Sequence, residues 1–151
     1  MKVNWTAVMA GVGIAAVGAI WAGRLLDAGT GGEAILRPDD TALVARGEEI
    51  YRKNCASCHG ADLRGQPGWQ TTAGKAPPHD ATGHTWHHPD RMLIMVTRQG
   101  TMRRGGAMPG FGGRLSDDDI VAVLSWIKSR WPDEIRAAHD RINARSAAGA
   151  G

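Results

Sequence analysis

The stretch Lys53 to Gly65 reads KNCASCHGADLRG and holds both cysteines of a 151-residue chain. Cys55 and Cys58, with two residues between them, can form a redox disulfide, supply half of a zinc site, or anchor a haem. Each chemistry demands different surroundings: a strand-led βαβ unit, further thiolate or imidazole ligands, or loops that wrap a large flat group. The pair therefore restricts the fold more than any other feature.

His59 follows the second cysteine directly. In Cys-x-x-Cys-His both thiols can add to the two vinyl groups of one haem, and the next imidazole can reach the iron from the same side. The other chemistries fit less well. No strand pattern precedes the motif, as a thioredoxin-like site would need. Zinc could draft Cys55, Cys58 and two later histidines, but four ligands at finger spacing do not occur. A disulfide across two residues is strained and staples almost nothing.

The N-terminal segment sets the compartment. Residues 3–23, VNWTAVMAGVGIAAVGAIWAG, carry no charge between Lys2 and Arg24. At about 1.5 Å per residue they can cross a hydrocarbon core of about 30 Å, with Trp5 and Trp21 at its borders. The expectation is a single N-terminal transmembrane helix in the cytoplasmic (inner) membrane, with the rest facing the periplasm. The alternative is a cleaved signal peptide and a soluble periplasmic protein, although Ile20 and Trp21 suit a cleavage site after Ala22 poorly. Either route exports the chain, and haem attachment of this kind takes place outside the cytoplasm.

Residues 24–38 read as a polar, glycine-containing linker. Asp39, Asp40 or Thr41 can cap a helix that carries Leu43, Gly47, Ile50 and Tyr51 and ends near Cys55. A long Gly/Pro-rich loop with Pro67, Pro77 and Pro78 runs from Gly60 to His88, and so long a loop in a compact domain usually wraps something. HPDRMLIMVTRQG predicts a short helix, capped by Pro89 and Asp90 and stopped at Gly100. A second glycine-rich loop follows. Ser116 and Asp119 form a capping-box pattern ahead of Ile120, Leu124, Ile127 and Trp131 at helical spacing. Pro132 ends or kinks that helix, residues 133–145 predict a charged helical extension, and the final SAAGAG is expected to be disordered. The domains are then 1–23 (anchor or signal), 24–38 (linker), 39–132 (folded domain) and 133–151 (extension and tail). The fold class is all-α: three main helices and two loops, with a thin apolar core that needs a staple. Six tryptophans stand against one tyrosine and one phenylalanine, a set suited to packing around something other than side chains.

RGEEIYRKNCASCHGADLRGQ and GAMPGFGGRLSDDDIVAVLSWIKSRW together resemble the small class I (monohaem) cytochromes c of bacteria, in motif order and spacing over residues 41–131. The resemblance implies one covalent haem c with its iron, bound through Cys55, Cys58 and His59. It implies that an N-terminal helix crosses a C-terminal one, with Gly47 and Tyr51 against Leu124 and Trp126 or Ile127. It also implies that the carbonyl of Pro77 or Pro78 accepts a hydrogen bond from the other nitrogen of His59.

Of the six methionines, Met1 and Met9 fall in the anchor, and Met92 and Met95 on a helix suggest core. Met102 and Met108 lie in the glycine-rich loop. Met108-Pro109 before the capped helix looks like the family's distal-ligand loop, which makes His59 and Met108 the expected axial pair. His79, His84, His87 and His88 form a cluster that could replace Met108 or bind copper, or simply make hydrogen bonds. Arg98, Arg103, Arg104 and Arg114 flank the Met108 loop and could form a basic rim toward an acidic partner.

With both axial positions filled, the expected function is that of a one-electron carrier between a redox donor and an acceptor protein. The chain is not expected to be an enzyme on its own. Its formal charge of +3 and lack of a long Lys/Arg run give no reason to expect nucleic acid. Two alternatives stand: a haem subunit of a larger membrane oxidoreductase, or a haem- and copper-binding sensor using the histidine loop.

Overall fold

The computed structural model describes residues 35–149. The expected N-terminal membrane segment lies outside them. No helix among the described residues is long and apolar enough to cross a membrane. Those residues are helical, with no strand: α1 Thr41–Asn54, the single turn α2 Ala56–His59, α3 Asp90–Gln99, α4 Asp117–Ser129 and α5 Asp133–Ala148. Short 3₁₀ turns lie at Thr85–His87 and Met102–Arg104.

Of the three possible caps for α1, Asp40 serves, its carboxylate accepting the Leu43 N–H at 3.0 Å. The α4 capping box forms as read: Ser116 Oγ accepts the Asp119 N–H, and Asp119 Oδ2 accepts the Ser116 N–H. Hydrogen bonds from Ser116, and then from Arg46 of α1, hold the Asp119 carboxyl below its ordinary range. Pro132 separates α4 from α5 and kinks neither.

α1 and α4 cross with their backbones in contact. A Cβ on Gly47 would overlap the carbonyl of Ala122 and the Cβ of Trp126, so only glycine allows this approach. One turn later Tyr51, fully buried, packs its ring 4.6 Å from that of Trp126. The expected pairing with Trp126 is present, and Ala122 is the contact that sequence spacing did not single out. Around this crossing Leu36, Leu63, Leu93, Ile120, Val123, Leu124, Ile127 and Trp131 complete one core. α3 turns Leu93 and Thr97 inward and leaves Met92 38% exposed, so Met92 is not the core residue expected.

α5 is more than a charged extension. It runs through Ser146–Ala148, residues expected to be disordered, because the alanines are strong helix formers and the helix is docked farther back. Its buried His139 donates from Nε2 to the His88 carbonyl at 3.0 Å. Asn143 Nδ2 donates to Asp90 Oδ1, and the Asp90 N–H donates to Asn143 Oδ1. Asp90 Oδ2 also accepts the Leu36 N–H, so this carboxylate ties α5 and the chain before α1 to the start of α3 instead of capping its own helix. Lys128 of α4, 2% exposed, pairs with Asp140 of α5.

Two predictions follow from this packing. Gly47→Val should lower the unfolding free energy by roughly 3 kcal/mol or more, because the crossing cannot open without exposing the core; thermal denaturation would measure it. The second concerns pH. Burial, and then the Lys128 ammonium, depress the His139 pKa against the opposing pull of Asp90 and Asp140. A base whose folded pKa is lowered adds stability above its unfolded value of about 6.5 and loses it as pH falls below that. Stability should therefore drop between pH 7 and pH 5, and His139→Gln, which keeps a donor for the His88 carbonyl, should flatten the slope by up to about 1.4 kcal/mol per pH unit.

Candidate haem site

α1 leads straight into the motif, with Cys55 closing α1 and opening the turn α2. The His59 N–H donates to the Cys55 carbonyl at 2.9 Å and the Cys58 N–H at 3.1 Å, so one helical turn presents both cysteines and the histidine. Tyr51 fastens that turn to α1 by donating its hydroxyl to the Gly60 carbonyl at 2.8 Å. Burial pushes the Tyr51 hydroxyl's pKa upward, keeping it a neutral donor.

Both cysteines are free thiols, Cys55 partly buried and Cys58 exposed. Burial, and then Cys58, push the Cys55 thiol up to about 11. A redox-active Cys-x-x-Cys is shifted the other way, toward the thiolate. No three His, Cys, Asp or Glu side chains converge on a metal position among the described residues.

The His59 ring is 7% exposed, and its Nδ1 lies 2.9 Å from the Pro77 carbonyl. A carbonyl only accepts, so Nδ1 carries the proton and Nε2 keeps its lone pair. Burial lowers the His59 pKa against the opposing pull of this hydrogen bond, and so favours the neutral ring. Pro77, of the two prolines considered, is the acceptor. The loop brings it there through a close approach at Gly65, where φ is +68° and a Cβ would overlap Pro77 and Ala76. Leu63 also adopts a left-handed φ of 68°, and its carbonyl accepts the N–H groups of His79 and Asp80. Two cysteines and one oriented imidazole nitrogen on a single turn suit a covalent haem.

Met108 is half-buried on the loop after α3. Thr101 braces it: the Met108 N–H donates to Thr101 Oγ1 at 3.1 Å, and the Thr101 N–H donates to the Met108 carbonyl at 2.8 Å. Met102 is 64% exposed in the 3₁₀ turn. Thr101 was not foreseen, since a lone threonine in a glycine-rich loop gives no pattern. Of the basic rim, Arg98 pairs with Asp117 and Arg114 lies 4.8 Å over the Phe111 ring, leaving Arg103 and Arg104 exposed.

The clustered histidines take different partners. His84 stacks on Trp69 and meets His88 edge-on, and His87 stacks on Trp86. Only His79 reaches the motif, its ring lying on that of His59. Its position two residues beyond Pro77 is the sole hint of this in the sequence.

An all-helical domain organised around a Cys-x-x-Cys-His turn, its histidine hydrogen-bonded to a loop proline, is a c-type cytochrome. The family model of cytochrome c oxidase, cbb3-type, subunit III matches residues 42–127. The chain belongs to that family, whose cofactor is covalently attached c-type haem with its iron. Among curated relatives, the cbb3-type cytochrome c oxidase subunit FixP of Azorhizobium caulinodans is 35% identical over 91 residues, 60% of this chain and 28% of that protein. Subunit CcoP of Azospirillum brasilense is 32% identical over 91 residues, covering 60% and 30%. Cytochrome c6 of Diacronema lutheri is 29% identical over 91 residues, 58% of this chain and 95% of that protein. The chain thus spans under a third of the length of these two oxidase subunits and nearly all of the c6 protein. No solved structure gives a significant match.

Proposed function

We propose that this chain is a single-electron-transfer haem subunit of a larger membrane oxidoreductase of the cbb3 oxidase type, acting on the periplasmic side. The observation that carries the reading is the oriented His59, its Nδ1 engaged by Pro77 and its Nε2 free, directly after two unpaired thiols. The relatives named as oxidase subunits favour this over the stand-alone, membrane-tethered electron carrier expected from the sequence alone. The c6 relative keeps the free carrier as the second reading.

In this proposal Cys55 and Cys58 hold the haem through thioethers, and residues 39–132 form the haem-binding module. His59, through Nε2, and Met108, through its sulfur, would be the protein's ligands to the iron. The bound group provides a one-electron ferrous/ferric couple. The Pro77 carbonyl keeps His59 in one tautomer and would strengthen its donation to the iron, while a methionine sulfur as second ligand would favour the reduced state. Tyr51 and Trp126 exclude water behind the turn. No nucleophile with a base, and no paired carboxylates, are drawn into the mechanism. Residues 3–23 are proposed to tether the module to the membrane, with the periplasmic soluble form as the alternative. His84 and His88 meet edge-on, but no three potential ligands converge among the described residues, so the copper-sensing alternative gains no support from the loop.

Membranes containing the protein should show a c-type reduced-minus-oxidised spectrum that disappears in the Cys55→Ser/Cys58→Ser double variant. Met108→Ala should retain the covalent haem and lose the sulfur-to-iron charge-transfer band near the red edge; an unchanged band would remove Met108 as ligand. Co-migration with other oxidase chains in mild detergent supports the subunit reading, and migration alone supports the free carrier.

A further inference from the structure

We propose that His79 is a positioning residue for His59: its imidazole, laid face to face on the His59 ring, fixes the rotation of that ring. The inference rests on the reading of His59 as the haem's axial nitrogen. The two ring centroids are 3.9 Å apart and the planes 23° from parallel, which is stacking contact. The hydrogen bond to Pro77 holds His59 at one atom, and rotation about the histidine Cβ–Cγ bond is otherwise broad. A flat group on the ring face resists that same rotation.

His79 is itself held at three points. Its N–H donates to the Leu63 carbonyl at 2.7 Å, and its carbonyl accepts the Trp131 indole N–H at 2.7 Å. Its ring Nδ1 lies 2.9 Å from Thr85 Oγ1. The buried Thr85 hydroxyl donates onward to the Pro78 carbonyl, so its oxygen accepts from His79 Nδ1–H, which sets the His79 tautomer as well. The anchors come from three parts of the chain: the turn at Leu63, the end of α4, and the 3₁₀ turn at Thr85. His79 thus transmits the rigidity of the folded core to an imidazole that would otherwise depend on one loop carbonyl. The orientation of an axial imidazole's plane decides which of the iron's d orbitals its π system meets, and second-sphere groups that set this orientation tune the metal.

The test uses the full-length holoprotein in detergent, oxidised and frozen, with electron paramagnetic resonance reading the g values of the low-spin ferric state. His79→Leu keeps an apolar filler and removes the flat ring; His79→Phe keeps a flat ring. The expected result is a shift of the largest g value by more than its wild-type linewidth in His79→Leu, with His79→Phe close to wild type. An unchanged spectrum in His79→Leu would overturn the proposal, and so would equal shifts in both variants, since planarity would then not be the property that matters. Should His79→Leu fail to assemble haem, Thr85→Val decides in its place by cutting the Nδ1 anchor: a broadened g feature supports the proposal, and wild-type g features overturn it. A His59→Gly control separates the two levels. If it leaves the low-spin spectrum intact, the ligand reading itself fails; if it abolishes that spectrum while His79→Leu changes nothing, only the positioning role fails.

Discussion

Gly47 lets the backbone of α1 rest against the Ala122 carbonyl, and the remainder of the structure hangs from that contact. α1 continues into Cys55 without a linker, so whatever fixes α1 also fixes the turn carrying Cys55, Cys58 and His59. Tyr51 links the two levels in one residue. Its ring packs on Trp126 at the crossing, and its hydroxyl closes the turn through the Gly60 carbonyl. A larger residue at position 47 would move α1, and the motif would move with it.

The loops solve a different problem. A backbone without helix or sheet still has to satisfy its buried polar groups. Here the carbonyls of Leu63, Pro77 and His79 accept, respectively, two loop N–H groups, the His59 imidazole and the Trp131 indole. The same bonds that hold this irregular segment against the core also orient the ring next to the cysteine pair. Stability and function therefore use one set of hydrogen bonds, and the loop can be irregular without being loose.

α5 closes the back of the domain through polar contacts. Asp90, Asn143, His139 and Lys128 are buried, with Lys128 reaching the exposed Asp140, and of these buried side-chain polar atoms only His139 Nδ1 lacks a hydrogen-bonding partner. Such a cluster contributes little net energy when complete and costs much when broken. It serves to fix where α5 and the segment before α1 meet α3. A helix of low apolar content, read from its charges as an appendage, is held in this way.

Period and punctuation determined the local structure: a cap within residues 39–41, the capping box at Ser116, the stop at Gly100, the break at Pro132, and the buried stripe Ile120, Leu124, Ile127 and Trp131. These features depend on neighbours within a few residues, which is why they could be read in order along the chain. The sequence by itself also singled out Cys55, Cys58 and His59, since their chemistry depends on spacing alone. Only the tertiary structure decided that Pro77 rather than Pro78 faces His59, that Ala122 receives Gly47, that Met92 points outward, and that Ser146–Ala148 stay helical. It alone gave the four loop histidines their different partners and laid His79 on His59. Those outcomes turn on groups between 18 and 75 residues apart meeting at distances of a few ångströms, as His59 meets Pro77 and Gly47 meets Ala122. Local pattern carries no record of such distances, because they are set by how the helices cross and how the loops satisfy their backbone groups.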